Sequence, residues 1–244
     1  MKKMVMKKIF SLLVAAGLSF TAQAQNVGVS VSYFLPRNGY FSTPISPFSI
    51  RGVGINFTDY LGVQTGASLY RMSGLNMIDL PFDSKSPLVG PNFTLYVPLE
   101  LVFQLKGNRA ELDIKGGGFA FYGADQKLNY GNMDRSLRSY QSWDVANSDL
   151  SFQNNPGVGL QFGAEFTFYI TDRVGLSLEG NYLAGTSKMP LKGSVTGGNM
   201  GGQLQTVSIN YPDAKVDFTG FEISMGLIFK NGGASKKPSA RRRR

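Results

Sequence analysis

FTGFEISMGLIF, residues 218–229, is the last apolar run of the chain and alternates between two kinds of residue. The large apolar residues are Phe221, Ile223, Met225, Leu227 and Phe229, and the residues between them are Glu222, Ser224, Gly226 and Ile228. A period of two predicts a β-strand with one apolar face. Because a single amphipathic strand is unstable, this face must contact either a protein core or lipid, and the opposite face must accommodate Glu222.

The first 24 residues have the pattern of a secretory signal peptide. Four lysines precede an apolar stretch at 9–20, and Ala22 and Ala24 place small residues at the two positions that a signal peptidase reads. The apolar stretch is too short to span a bilayer. The absence of cysteine excludes a lipoprotein and a disulfide-stabilised domain. We therefore expect cleavage after Ala24 and a mature protein outside the cytoplasm.

Seven earlier segments show the same alternation and are predicted to be strands. Between residues 93 and 105 every odd-numbered residue is apolar, whereas Glu100 lies on the other face. In the last strand the apolar positions change from even to odd after Phe218, which predicts a bulge or bend near Gly220. Helical periodicity is hard to find anywhere. The predicted strands cover residues 27–35, 48–57, 61–70, 93–105, 111–122, 158–170, 174–182 and 216–229.

The lengths of the connections favour a membrane barrel. Three connections are turns of three or four residues, and the other four are much longer. This asymmetry is typical of an up-and-down barrel in the outer membrane of a Gram-negative bacterium, with short periplasmic turns, long extracellular loops and both termini in the periplasm. A soluble lipocalin-type barrel has eight strands as well, but it exposes its polar face. The non-apolar face here is rich in glycine and serine and poor in lysine, which is unusual for a surface in water.

The composition excludes other classes of protein. The chain has 30 glycines, 12% aromatic residues and no histidine, and its mean hydropathy is near zero. No segment after residue 24 approaches 18 consecutive apolar residues, so a helical membrane protein is excluded, and the composition is not that of a disordered chain.

With a signal peptide, eight alternating strands and a last strand that ends on Phe229, residues 25–229 resemble the small outer-membrane barrels of the OmpA, OmpX and OmpW type, within the porin family. The resemblance implies an all-β, eight-stranded antiparallel transmembrane barrel. It also implies that the last strand resembles the signal read by the barrel-insertion machinery, through Phe221, Ile223, Met225, Leu227 and Phe229. The chain departs from this pattern because further residues follow Phe229. This segment, 230–244, is too short and too polar to form a peptidoglycan-binding domain.

A polar network is predicted inside the barrel, because the positions opposite the apolar row carry most of the carboxylates. An eight-stranded barrel is just wide enough for side chains to fill it, so a general diffusion pore is not expected. Buried charges must be paired, hydrated or neutralised. A cation or proton path and a water-filled polar interior are both compatible with this pattern, and the latter is favoured. The predicted inward residues are Glu100, Glu111, Asp113, Glu165, Glu179 and Glu222, with Lys115 as the one comparably placed base.

Two arginines are predicted to meet lipid at the outer rim. Arg51 and Arg71 lie on the lipid-facing parity near the outer ends of the second and third strands. An arginine at the bilayer midplane is costly, whereas lipopolysaccharide phosphates at the rim would bind its guanidinium.

No catalytic residue, metal ligand or cofactor site is predicted. Barrel hydrolases and acyltransferases generally use a histidine base, which this chain lacks. Neither metal-ligand spacing nor a phosphate-binding loop is present, and the glycines around Val53 are strand positions.

The segment 230–244 is a dense basic tail, expected to be disordered by itself. With four lysines in the signal peptide and seven bases in the tail, the rest of the chain has 14 bases and 16 acids, so the positive excess of the mature chain is local to this tail. In the periplasm the tail would meet phospholipid head groups, peptidoglycan carboxylates or an acidic face of another envelope protein, and nucleic acid is not expected. The alternative is a solvated end. The partner-binding bases are Lys230, Lys236, Lys237, Arg241, Arg242, Arg243 and Arg244.

Two functions therefore remain open. In the first, the barrel is an accessory subunit and its tail docks it to a larger envelope assembly, as small barrels similar to this one do in type IX secretion and outer-membrane biogenesis. In the second, it stands alone and stabilises the envelope or passes small apolar molecules, as OmpW-like proteins do.

Overall fold

The computed structural model describes residues 26–40 and 43–230, without side-chain detail for 43–48. The predicted signal peptide and the tail beyond Lys230 therefore lie outside the described residues. The elements are β1 (Asn26–Pro36), β2 (Gly39–Tyr40), β3 (Thr43–Asn56), β4 (Leu61–Met72), β5 (Gly74–Leu75), β6 (Met77–Ile78), β7 (Asn92–Lys106), β8 (Ala110–Ala124), α1 (Tyr130–Gln141), β9 (Val145–Phe152), β10 (Gly157–Tyr169), β11 (Val174–Lys188), β12 (Leu191–Gly198), β13 (Gln205–Tyr211), β14 (Lys215–Asp217) and β15 (Gly220–Lys230).

Eight of these strands form a closed antiparallel barrel. Following the hydrogen bonds around the barrel gives the order β1, β3, β4, β7, β8, β10, β11 and β15. The predicted last strand, β15, pairs with β1 along its whole length, from Asn26 opposite Lys230 to Pro36 opposite Gly220. Each barrel strand neighbours the next one in sequence, so the predicted eight-stranded up-and-down barrel is confirmed.

The two faces of the wall differ in the sense that the alternation predicts. Large apolar side chains cover the outside, where Leu101 is 66% exposed and Leu160 is 72% exposed. The opposite row points inward and is buried, although it carries serines, threonines, glutamines and charged residues. Small interior residues make room for these groups. A Cβ atom on Gly163, for example, would lie 1.9 Å from Oδ1 of Asn181.

The two ends of the barrel are built differently. Residues 57–60, 107–109 and 170–173 connect neighbouring strands at one end, the short-turn end, where β1 begins and β15 ends. The long connections gather at the opposite end, the cap end. They were expected to be loops, but within the described residues they contain six further strands and a helix, and β14 forms the start of the predicted last strand.

The cap, residues 73–91, 125–156 and 189–214, has an apolar core that is continuous with the buried rings at this end of the barrel. A three-stranded sheet has the order β13, β12, β9, and α1 buries Met133 and Leu137 beneath it. Asn129 caps the helix by accepting a hydrogen bond from the backbone N–H of Asn132, and Asp134 accepts one from the backbone N–H of Ser148 in β9 at 2.8 Å. The expectation that helical periodicity is absent is therefore wrong in this part of the chain. Within the described residues, no helix has the length and apolar character needed to cross a membrane.

A salt bridge and strand pairs attach the cap to the barrel. β14 pairs with both β11 and β6. Lys215 in β14 forms a salt bridge of 2.8 Å with Asp79, and this hydrogen bond raises the pKa of the lysine. The predicted change of parity near Gly220 is the break between β14 and β15. At this break a Cβ on Gly220 would lie 2.2 Å from the carbonyl oxygen of Leu35. Strands β15 and β1 can therefore approach closely here because residue 220 is glycine.

Candidate functional site

The centre of the barrel contains a buried group of charged residues, which we call the central ion cluster: Arg51, Lys115, Glu165, Glu179 and Glu222. Lys115 contacts Glu165 and lies 3.0 Å from Glu179. Arg51 contacts Glu222 and lies 3.5 Å from the other oxygen of Glu179. All five side chains are at most 5% exposed. Two cations thus alternate with three carboxylates in the interior, which satisfies the requirement that buried charge be paired.

Neutral side chains add further hydrogen bonds to the central ion cluster. Asn181 donates to Glu179 at 3.0 Å and to Glu222 at 2.8 Å, so one amide group bridges two carboxylates. Tyr70 donates its hydroxyl proton to Glu222, and Arg51 also donates to Ser224 at 3.3 Å. These partners come from β4, β11 and β15, and the charged residues add β3, β8 and β10, so the network connects both sides of the barrel.

A second polar group surrounds Glu100, which has no basic partner within salt-bridge distance among the described residues. Gln161 donates to one of its carboxylate oxygens, and Gln64 donates to the other at 3.1 Å. Tyr96 in turn donates to Gln161. Amide groups therefore take the place of a cation at this carboxylate.

A third polar group closes the short-turn end. The Tyr169 hydroxyl donates to Glu111 at 2.8 Å, and the Lys230 ammonium lies 3.0 Å from the same carboxylate oxygen. The ammonium also lies 3.7 Å from the centroid of the Tyr169 ring, within the range of a cation–π interaction. Asp113 is adjacent in the wall, and Gln104 approaches it at 3.5 Å.

Six rings close the interior on the side of the cap, and we call them the aromatic layer. Strand β8 passes all three levels of the interior in order. It runs from Glu111 at the short-turn end, through Lys115 in the central ion cluster, to Phe119 and Phe121 in the aromatic layer. Phe218 stacks on two rings, with centroid distances of 4.4 Å to Phe34 and 4.4 Å to Phe121. None of the six rings is more than 5% exposed. The aromatic layer consists of Phe34, Tyr70, Tyr96, Phe119, Phe121 and Phe218.

The cavities found in the interior are small. One of about 20 Å³ is lined by Gln64 and Gln104, and one of about 10 Å³ by Glu111 and Asp113. Each has room for about one water molecule. The buried side chains of the central ion cluster and the aromatic layer fill the interior at these two levels, as expected for eight strands.

The structure places all seven residues of the predicted polar network inside the barrel. It corrects the prediction for Arg51, which is 4% exposed and inside rather than at a lipid rim. Between Ile50 and Val53, strand β3 has one residue more than the strand it pairs with, β4. Gly52, within this bulge, has a φ of +70°. This bulge reverses the alternation, and β3 also begins earlier than predicted, so Arg51 lies within the strand rather than at its end. Lys115 was predicted to be the one base inside the barrel, but Arg51 is inside as well.

The other predicted positions are distributed as follows. Arg71 is exposed on the outer face, opposite Phe93, and its binding of lipopolysaccharide stays a prediction. Lys230 is the last residue of β15 and contacts Glu111, so it is not part of a free tail. The other six bases of the tail lie outside the described residues. The side chains of the predicted insertion signal lie on the outer face of β15, with Phe221 58% exposed.

Sequence reasoning missed the partners of the carboxylates. Tyr70, Tyr96 and Asn181 lie on the inward parity of their strands, so the alternation placed them inside but could not indicate which carboxylate each one contacts. In the described part of the chain, no group of three or more histidine, cysteine or acidic residues is arranged to hold a metal ion.

No protein-family profile and no curated protein matches the sequence. Among solved structures, the fold is similar to that of the outer membrane protein OprG from Pseudomonas aeruginosa, at 13% identity and a TM-score of 0.50, covering 85% of this chain and 95% of OprG. A major outer membrane protein from Thermus thermophilus aligns at 12% identity and a TM-score of 0.42, covering 84% of this chain and 99% of that one. Ail, the attachment invasion locus protein of Yersinia pestis, aligns at 12% identity and a TM-score of 0.37, covering 84% of this chain and 95% of Ail. The likeness to OprG shows that the chain has the fold of an outer-membrane β-barrel.

Proposed function

We propose that this chain is a non-enzymatic integral barrel of the outer membrane of a Gram-negative bacterium, and an accessory or anchoring subunit of a larger envelope complex. In this role the barrel holds the cap on one side of the membrane and the basic tail on the other. Secretion and outer-membrane biogenesis machinery are the assemblies that the sequence resemblance suggests.

The distribution of polarity supports insertion in a membrane. A wall whose outer face exposes leucine, phenylalanine and valine, while carboxylates and arginine lie inside, is suited to lipid and not to water. Among the described residues every barrel strand has a hydrogen-bonded neighbour on each side, so the wall is closed, as the absence of water from the hydrocarbon region requires. The similarity to OprG in fold supports the outer membrane as the location.

The observation that carries the anchoring role is the filled interior. The aromatic layer and the central ion cluster occupy successive levels of the barrel, and none of their side chains is more than 5% exposed. Passage of a small apolar molecule along the axis would require both levels to rearrange. A barrel filled in this way is better suited to holding attached segments in position than to transport.

The orientation follows from the connection lengths, because short turns face the periplasm in barrels of this type. A cysteine at Asn199, in the cap, should be labelled on intact cells by a membrane-impermeant maleimide. A cysteine at Asp172, in a short turn, should be labelled only after the outer membrane is permeabilised. The reverse pattern would overturn the orientation, and equal labelling of both sites would contradict a membrane-spanning barrel.

The tail would supply the contact with a periplasmic partner. Residues 231–244 can extend at most about 3.3–3.6 Å each, roughly 50 Å in total, which is enough to reach a neighbouring domain. The four consecutive arginines, 241–244, offer bidentate hydrogen bonds to carboxylates. Such contacts weaken as the salt concentration rises when they are exposed to solvent.

Deleting residues 234–244 should leave the barrel folded and inserted but release it from its partner complex. The measurement is co-purification from mild detergent, with heat-modifiable migration as the check that the barrel is folded. Raised salt should partly reproduce the deletion in the full-length chain, and a chain with alanine at 241–244 should behave like the deletion. If the truncated chain retains every partner, the tail is a solvated end. A monodisperse full-length monomer would favour the stand-alone barrel.

A further inference from the structure

Within the described part of the chain, three buried oxygen atoms near the short-turn end have no hydrogen-bond partner. They are Oε1 of Gln104, Oε1 of Glu111 and Oδ1 of Asp113. Gln104 and Glu111 are 4% and 3% exposed. A buried acceptor without a donor costs roughly 1–3 kcal/mol, and more when it is charged. Three of them on neighbouring residues of β7 and β8 form a place where a hydrogen-bond donor or a cation would be stabilised.

The space for such a group is present. Gln104 lines the cavity of about 20 Å³, and Glu111 and Asp113 line the cavity of about 10 Å³. The two cavities share Asn26 and Gln64 in their walls, so they are adjacent. Their combined size fits one small ion and a water molecule, and excludes a larger ligand.

The charges of the described residues inside the barrel do not balance. Six carboxylates face three bases, Arg51, Lys115 and Lys230, when all are ionised. Arg51 and Lys115 are held by the central ion cluster, and Lys230 bonds to the other oxygen of Glu111. Among the described residues, Asp113 has no basic group within salt-bridge distance. Of the three excess negative charges, one lies in the central ion cluster, one at Glu100, and one at the short-turn end, where Glu111 and Asp113 share Lys230 and the unpartnered oxygens lie.

We propose that a monovalent metal cation, Na⁺ or K⁺, binds between Glu111, Asp113 and Gln104. Oxygen ligands of this kind select hard cations. Glu165 also lines the smaller cavity, but it is bound to Lys115, and in the described residues no three acidic groups are arranged to hold a metal ion, which argues against a divalent ion. Lys230 and Tyr169 cover the site on the side of the short turns, and Lys230 is one third exposed, so an ion can enter there when the lysine side chain moves. This site is independent of the proposed docking role.

The test uses the purified full-length chain in detergent and compares NaCl, KCl and N-methylglucamine chloride at equal ionic strength. We expect one of the two metal ions to raise the midpoint of thermal unfolding by about 2–4 °C relative to N-methylglucamine, with a saturable concentration dependence. Asp113→Asn should abolish this shift, whereas Asp172→Asn, at the same end but in an exposed turn, should retain it. Equal midpoints for the wild-type chain in all three salts would show that the cavities hold only water, and would overturn the proposal.

A direct measurement does not depend on the variants folding. Crystals grown with Tl⁺ in place of Na⁺ or K⁺ should give an anomalous difference peak between the three oxygen atoms. Its absence at a Tl⁺ concentration that saturates the stability effect would also overturn the site.

Discussion

Replacing Arg51 with methionine is expected to lower the free energy of unfolding of the barrel by about 3–5 kcal/mol, because it leaves a buried carboxylate without its cation. Glu222 would keep its hydrogen bonds from Tyr70 and Asn181, but neutral donors do not compensate a full charge in a region of low dielectric constant. Glu179 would keep Lys115, so the loss is concentrated on Glu222. Reversible urea unfolding in detergent or lipid vesicles measures the effect.

Arg71→Met is the matched control, because Arg71 is exposed on the outer face of the neighbouring strand. Its effect should stay within about 0.5 kcal/mol. Adding Glu222→Gln to Arg51→Met should recover part of the lost stability, since it removes the uncompensated charge. If Arg51→Met and Arg71→Met have the same small effect, then Arg51 does not neutralise the interior.

Replacing Phe218 with alanine is expected to cost about 3–5 kcal/mol as well, through a cavity in the aromatic layer. Phe218 is fully buried and stacks on Phe34 and Phe121. It also lies between β14 and β15, where the chain passes from the cap into the barrel wall, so the loss should loosen the attachment of the cap. Hydrogen exchange of the cap should increase together with the fall in unfolding free energy.

Phe221→Ala provides the comparison, because Phe221 is only three positions away but faces outward and is 58% exposed. It should cost much less, since no internal cavity forms. Because the central ion cluster remains in place below the aromatic layer, Phe218→Ala alone should not make the barrel permeable to ions. If Phe218→Ala conducts ions in planar bilayers, then the central ion cluster does not block the barrel by itself.

Much of the barrel could be predicted from the sequence because β-strand alternation is a local property. A period of two between apolar and polar residues determines that a segment is a strand and which face is outward, and this holds for residues 93–105 without knowledge of their neighbours. The same alternation placed the six carboxylates of the predicted polar network inside. The lengths of the connections then determined the pairing of consecutive strands.

The tertiary structure alone decided the position of Arg51. Its inward direction depends on one extra residue in β3 and on the left-handed conformation of Gly52, and both are visible only when β3 is paired with β4. The pairing of Arg51 with Glu222 joins residues 171 positions apart. No local pattern carries that information.

The cap and the end of β15 were decided in the same way. The polar segment that contains α1 has few large apolar residues, and Met133 and Leu137 become a buried helix face only because β9 packs against the helix. The sequence predicts Lys230 to be the first base of the tail. In the structure Lys230 belongs to β15, and its side chain contacts Glu111 and Tyr169. The sequence by itself therefore determined the wall of the barrel and its two faces, which depend on neighbouring residues. Which charges pair inside, and how the long connections fold, depend on contacts between distant residues, and these exist only once the barrel has closed.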